Sequence, residues 1–125
     1  MTVESFQLSG LWQLIQGNSG SGLSDITTPL NESMSIAKKS LESYDLTADG
    51  VTTVALAGLT AVHVLCIKSS GKVSVTLTSS SGTSQVIPVD GCLILLSYSD
   101  PFTSITLTRS PTVRTIVNVF IGQHG

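Results

Sequence analysis

Positions 72–78 read Lys-Val-Ser-Val-Thr-Leu-Thr, and this stretch decides the fold class. Apolar residues occupy every second position, and hydroxyl residues occupy the positions between them. Period-two alternation rich in β-branched residues predicts a strand with one buried face. Positions 104–108 repeat the pattern, with Ile105 and Leu107 predicted inside. Both stretches predict an all-β fold.

Three further runs are apolar on both alternating faces. They cover residues 61–68, 92–98 and 114–121. Strands of this kind lie in the centre of a β-sandwich or at a protein interface. The chain is therefore expected to bury one face in its own core and another against a neighbour.

Dipeptides that favour chain reversal punctuate the sequence from residue 49 onward. They are Asp49-Gly50, Ser70-Gly71, Ser81-Gly82, Asp90-Gly91, Asp100-Pro101 and Ser110-Pro111. Glycine supplies a positive φ and proline a fixed φ at such positions. Their spacing predicts roughly six to eight strands in a single-domain β-sandwich, jelly-roll-like in its connections.

The first third of the chain is less regular. Residues 5–16 are predicted to form a strand with a bulge at Ser9-Gly10, and residues 17–22 a flexible loop. Residues 31–46 allow two interpretations: extended structure, which we favour, or a short helix after Pro29. We therefore predict an irregular N-terminal arm over residues 1–30 and the β-sandwich domain over residues 31–125.

The composition is unusual for a protein that acts alone. Only 11% of the 125 residues are charged and 41% are hydrophobic, and the mean hydropathy is +0.37. Soluble proteins carry roughly 25% charged residues. The chain has more apolar surface than one small core can hide, which predicts a homo-oligomer, most simply a trimer.

Charge and hydropathy also exclude several partners. Six Lys and Arg residues and a net charge of −2 cannot form a basic stripe, so nucleic acid is not an expected partner. The longest apolar run, residues 92–96, is far shorter than the about 20 residues that span a membrane. The first residues contain an acid, Glu4, and no apolar signal segment, which predicts folding in the cytoplasm. Cys66 and Cys92 are then expected to be buried free thiols.

Residues that could carry chemistry are sparse. The two histidines, His63 and His124, have no G-x-S-x-G motif beside them, and we interpret them as a core or interface residue and a solvated tail residue. Neither metal-ligand spacing nor a complete phosphate-binding loop is present. We expect no enzyme activity, no catalytic residue, no cofactor and no metal.

The N-terminal arm contains the single tryptophan within an apolar segment interrupted by glutamines. One interpretation is packing of a first strand in the chain's own core. The other is an arm whose apolar face docks on a neighbour, as in strand addition to a sheet edge. The interface residues predicted on this second interpretation are Phe6, Leu8, Leu11, Trp12, Leu14 and Ile15.

Several segments of the last 80 residues resemble small β-rich virion proteins of tailed bacteriophages. The segments that carry the resemblance are residues 46–51, 62–68, 71–73, 77–78, 87–91, 107–109 and 117–122. The resemblance implies a structural component: a cement protein that decorates the capsid, or a small tail or fibre adaptor. It also implies a jelly roll, often a trimer, that binds the major capsid protein or a tail protein. Such a protein is located in the virion and assembled in the bacterial host cytoplasm.

A carbohydrate-binding module that recognises a receptor is the competing class, because jelly rolls also serve as lectins. Sugar sites present aromatic platforms surrounded by polar side chains. Trp12, Tyr44 and Tyr98 are the candidates for such a platform.

Overall fold

A computed structural model describes the backbone of residues 4–14 and 26–125, with side chains from residue 34 onward. The described residues form seven strands and no helix. The strands are β1 (Glu4–Leu14), β2 (Ile26–Leu46), β3 (Thr52–Thr53), β4 (Val64–Ser79), β5 (Ser84–Leu96), β6 (Phe102–Arg109) and β7 (Thr115–His124). The all-β prediction is confirmed.

All strands belong to one antiparallel sheet with the order β1-β2-β7-β4-β6-β3, and β5 pairs with the other edge of β4. The long strand β4 pairs with β7 through residues 64–69 and with β6 through residues 73–79. This division defines two half-sheets. The first contains β2, β7 and the adjoining halves of β4 and β5, and the second contains β3, β6 and the remaining halves. Together they form a sheet that is nearly closed into a barrel-like shape.

Both half-sheets contribute to one hydrophobic core. In β4, Leu65 and Ile67 of the first half-sheet and Val73, Val75 and Leu77 of the second all point inward and are at most 2% exposed. Alternation along a strand places every second residue on one face, so odd-numbered residues of β4 line the core throughout. The predicted inward positions of residues 72–78 and 104–108 are confirmed, because Ile105 and Leu107 are also fully buried.

Two predicted turns are bulges inside long strands. The backbone of β4 remains extended through Ser70-Gly71, and that of β5 through Asp90-Gly91, where the register between the strands shifts. At this shift, serine side chains of β4 accept hydrogen bonds from backbone N–H groups of the neighbouring strands. Ser69 Oγ accepts from the Gly91 N–H at 3.1 Å, and Ser70 Oγ accepts from the Ile116 N–H at 2.9 Å. These dipeptides bend the sheet where its two halves meet instead of reversing the chain.

The N-terminal predictions have mixed outcomes. Residues 31–46 are extended within β2, as favoured, but β1 pairs with β2 in one uninterrupted register, so the bulge predicted at Ser9-Gly10 is absent. The loop predicted over residues 17–22 lies outside the described residues. β2 runs across the predicted boundary at residue 30, and the division into arm and domain stays a prediction. Neither a jelly roll nor a two-sheet sandwich is confirmed by this strand order.

Candidate assembly surface

The outer face of the first half-sheet is apolar. Strand pairing aligns Ile94 of β5, Cys66 of β4, Phe120 of β7 and Leu41 of β2 in one row across four strands. Leu41 is 74% exposed and Ile94 is 42% exposed, whereas Cys66 and Phe120 are half-buried. We call this row, with its neighbours Val64 and Leu96, the apolar face. Exposed apolar residues that form a continuous surface mark an interaction site more strongly than scattered ones do.

A small second core closes one end of the apolar face. Met34 and Ile36 of β2 are 3% and 7% exposed and pack with Val64 in a cluster that Cys66, Leu96 and Phe120 also contact. Glycine at position 122 makes room for this packing, because an added Cβ there would lie 3.2 Å from Ile36 Cδ1. The root of the β1–β2 hairpin is thus fastened to the outer face of the sheet.

The register of the hairpin separates apolar from polar positions. β1 pairs with residues 26–36 of β2 so that Phe6 is opposite Met34 and Leu14 is opposite Ile26. Alternation then assigns even-numbered positions of both strands to the face that Met34 and Ile36 share. The apolar residues at these positions are Phe6, Leu8, Trp12, Leu14, Ile26, Leu30, Met34 and Ile36. The odd-numbered positions carry Ser, Gln, Thr and Asn, with Leu11 and Pro29 as the exceptions.

Of the predicted interface residues, Phe6, Leu8, Trp12 and Leu14 fall at positions of the same face. Leu11 falls on the other face, opposite Pro29, and Ile15 lies outside the described residues. A register shift near residue 37 moves the outward positions of β2 from even to odd numbers. The apolar positions of the hairpin therefore continue into Leu41 and the apolar face.

The outer face of the second half-sheet has the opposite character. Pairing aligns hydroxyl residues across β5, β4, β6 and β3, with Thr76, Thr106 and Thr53 in the central row. The members of this hydroxyl face are Ser74, Thr76, Thr78, Ser84, Ser104, Thr106, Thr108 and Thr53. Val86, 66% exposed, is the large hydrophobic residue at its margin. Small hydroxyl side chains are compatible with water, so this face has no need of a partner.

His63 and His124 meet at the hairpin root. The His124 N–H donates to His63 Nδ1 at 3.1 Å, so this ring nitrogen carries no proton. His124 Nδ1 lies 2.9 Å from the Ser35 carbonyl oxygen, which only accepts, so this nitrogen carries one. The two rings pack edge to face with centroids 5.9 Å apart. Burial, followed by electrostatic interaction with His124, lowers the pKa of His63. His124 is exposed, as predicted, but it is the last residue of β7 and not part of a free tail, because it bonds to both Ser35 of β2 and His63.

Both cysteines lie at outward positions of the first half-sheet, Cys66 on the central strand β4 and Cys92 on the edge strand β5. Both are free, as predicted, but only Cys66 is partly covered, whereas Cys92 is exposed, which corrects the expectation that both are buried. Cys92 lies opposite Lys68 on the edge strand β5, where no further strand covers it. Burial raises the pKa of the Cys66 thiol, with a further contribution from Cys92.

An open groove of about 490 Å³ lies at the bend between the half-sheets. Lys72, Asp90 and Arg109 are its charged lining residues, with no aromatic side chain beside them. Arg109 is engaged: its Nε donates to Asp49 Oδ1 at 3.0 Å. The Thr112 N–H, followed by Arg109, lowers the pKa of Asp49. The groove therefore offers charged groups that can bind a polar ligand, but its described lining includes no aromatic platform for a sugar ring.

No cluster of metal-ligating side chains accompanies these surfaces in the part of the chain whose side chains are described. No three His, Cys, Asp or Glu side chains there lie close enough to hold a metal ion. Among residues 4–14 and 26–125 there is also no helix that could cross a bilayer. Comparison of the sequence with protein-family models and with curated proteins finds no match. The apolar face and the hairpin are therefore the features of the molecule that bear on its function.

Sequence reasoning missed Leu41, the most exposed large hydrophobic residue among those described. A signal was present, because residues 31–46 were favoured as extended and Leu41 stands between Ser40 and Glu42. The face to which it belongs depends on the register shift near residue 37, which the local sequence does not reveal.

Proposed function

We propose that this chain is a non-enzymatic structural protein of a tailed-phage virion. Capsid cement or decoration is the preferred role, and a tail or fibre adaptor is the alternative. The apolar face carries the proposal: Leu41 is 74% exposed beside the fastened root of an amphipathic hairpin. A surface of this kind suits permanent assembly more than transient chemistry.

The proposed partners are copies of the chain, as a homotrimer, and the major capsid protein or a tail protein. The resemblance of the last 80 residues to small β-rich phage virion proteins supports this assignment, as does the low charge of the chain. We retain the jelly-roll-like sandwich within the proposal. The bend of β4 and β5, which gives each half-sheet its own partners, favours two layers. An experimental structure of the assembled protein tests this architecture.

Purified virions from the source phage provide the main test. Antibodies against the chain should label intact particles on the capsid, and the label should persist in about 1 M salt. Apolar burial is not screened at a Debye length of about 3 Å, whereas exposed ion pairs are. Label confined to the tail favours the adaptor role, and particles that lack the chain refute a virion function.

A truncated chain that starts at Thr28 tests whether the arm attaches the protein. It lacks all six predicted interface residues, five of which lie in β1. We expect it to keep its β circular dichroism and to fail to decorate particles that lack the native protein. The untruncated chain in the same assay is the control. Normal decoration by the truncated chain would move the attachment surface away from the arm.

A carbohydrate-binding module for receptor recognition is the second candidate. The groove at the bend, lined by Lys72, Asp90 and Arg109, is the observation that favours it. A glycan array separates the two classes, because a receptor-binding module should select a group of related sugars. Substitution of Asp90 by Asn should then abolish that selection while leaving particle labelling unchanged.

A further inference from the structure

The β1–β2 hairpin extends beyond the body of the protein. The last row of the first half-sheet contains the first residue of β4, Val64, and the final residue of β5, Leu96. β7 ends two residues past this row, at His124, opposite Ile36. Residues 26–35 of β2 pair only with β1 among the described strands.

This overhang is long. Strands rise about 3.3 Å per residue, so the ten steps from Ile36 to Ile26 cover roughly 33 Å. The apolar positions of the overhang, which include Trp12 and Leu30, therefore belong to a two-stranded ribbon that pairs with no strand of the body among the described residues.

The chain carries a surface that matches this overhang. The hairpin presents apolar even-numbered positions, and the apolar face presents Leu41 and Ile94 partly open to solvent. The charges are complementary as well. Acids at positions 4 and 32 fall on the same face of the hairpin as its apolar positions, whereas Lys68 occupies an outward position of the apolar face. Opposite charges at the margin of an apolar contact favour the correct register and orientation.

We propose that the β1–β2 hairpin of one copy docks on the apolar face of a second copy. Each chain then donates its hairpin to one neighbour and receives the hairpin of another, which is a heterologous contact. Such contacts close into a ring when the rotation between copies is a simple fraction of a turn, and three copies give the expected trimer. This inference refines the oligomer within the proposed function, but its test needs no virion.

Leu41→Asp is the first test. Leu41 is 74% exposed, so an aspartate there should leave the fold intact but would be buried without a partner in the docked contact. Light scattering at micromolar concentration should report three chains for the unaltered protein and one for the variant. Val86→Asp, at a site 66% exposed on the hydroxyl face, is the matched control and should remain trimeric.

A mixing experiment distinguishes hairpin-to-face docking from symmetric face-to-face pairing. Leu8→Asp damages the hairpin, and Leu41→Asp damages the face. Each variant alone should be monomeric. A mixture of the two should form a complex of one chain of each kind, because the intact hairpin of the Leu41→Asp variant can dock on the intact apolar face of the Leu8→Asp variant. This result does not require the hairpin of the Leu8→Asp variant to fold.

Three results would overturn the proposal. They are a monomeric unaltered protein, a Leu41→Asp variant that stays trimeric, and a mixture of folded variants that forms no complex. Because the proteins are purified and free of particles, these results are independent of virion labelling. If antibodies label virions but the purified protein is monomeric, the hairpin contact is refuted and the virion role stands. If the purified protein is a trimer but virions lack the chain, the virion role is refuted and the hairpin contact stands.

Discussion

Replacement of Val75 by Ala should destabilise the protein far more than replacement of Val86 by Ala. Val75 is fully buried in β4, whereas Val86, in the adjoining strand β5, is 66% exposed. The buried substitution removes two methyl carbons, which costs about 1.6 kcal/mol in transfer free energy at roughly 0.8 kcal/mol per carbon. The cavity raises the loss to about 2 to 3 kcal/mol. The exposed substitution removes carbons that are about one-third covered, which costs about 0.5 kcal/mol.

Urea denaturation followed by circular dichroism measures both differences. Total protein concentration must be equal in all samples, because assembly contributes to the apparent free energy of unfolding. The midpoint should fall clearly for Val75→Ala with an unchanged slope, and Tm should fall by roughly 10 °C. Equal losses for the two variants, or a larger loss at Val86, would refute the assignment of odd-numbered β4 residues to the core.

Three other properties can be tested in the same way. Because burial lowers the pKa of His63 in the folded protein, the contribution of His63 to stability should be complete above about pH 6.5 and should decline as pH falls through that lowered pKa. The His63→Asn variant, whose Oδ1 can accept the same N–H, should flatten this pH dependence of the unfolding free energy. A maleimide should label exposed Cys92 in the folded protein much faster than Cys66, whose thiol pKa burial raises, and equal rates would contradict the greater burial of Cys66. Gly91→Ala should cost about 1 to 3 kcal/mol in urea denaturation because Gly91 has φ +118°, whereas Gly71→Ala, where φ is not positive and the nearest atom to an added Cβ is 3.7 Å away, should cost less.

Local pattern was sufficient to predict the strands that form the core. In residues 72–78 of β4 and 104–108 of β6, apolar residues alternate with polar ones and their apolar face is buried, so the inward residues could be named from the sequence. Buried alternation is a local property, because side chains on a strand point to opposite faces whatever the neighbouring strand is. The same reasoning predicted residues 31–46 as extended.

Features that depend on pairing could not be predicted. Ser70-Gly71 and Asp90-Gly91 have the composition of turns, yet each lies in a strand whose partner lies opposite and bulges with it. Whether a glycine reverses the chain or bends it depends on the length of the flanking strands and on the register between them. The contact of His63 with His124 likewise joins residues 61 positions apart, which no motif brings together.

Strand β4 changes character along its length, which gives the two half-sheets outer faces of opposite polarity. Its outward residues are Val64 and Cys66 in the first half-sheet but Ser74 and Thr76 in the second, while the inward residues stay apolar throughout. A strand apolar on both faces needs a cover on each, whereas a strand with hydroxyl residues outside can face water. The bulge divides β4 into one half with an apolar outer face and one half with a hydroxyl outer face, and each half pairs with different neighbouring strands. The apolar outer surface is thereby concentrated on the first half-sheet, where the hairpin root is also fastened.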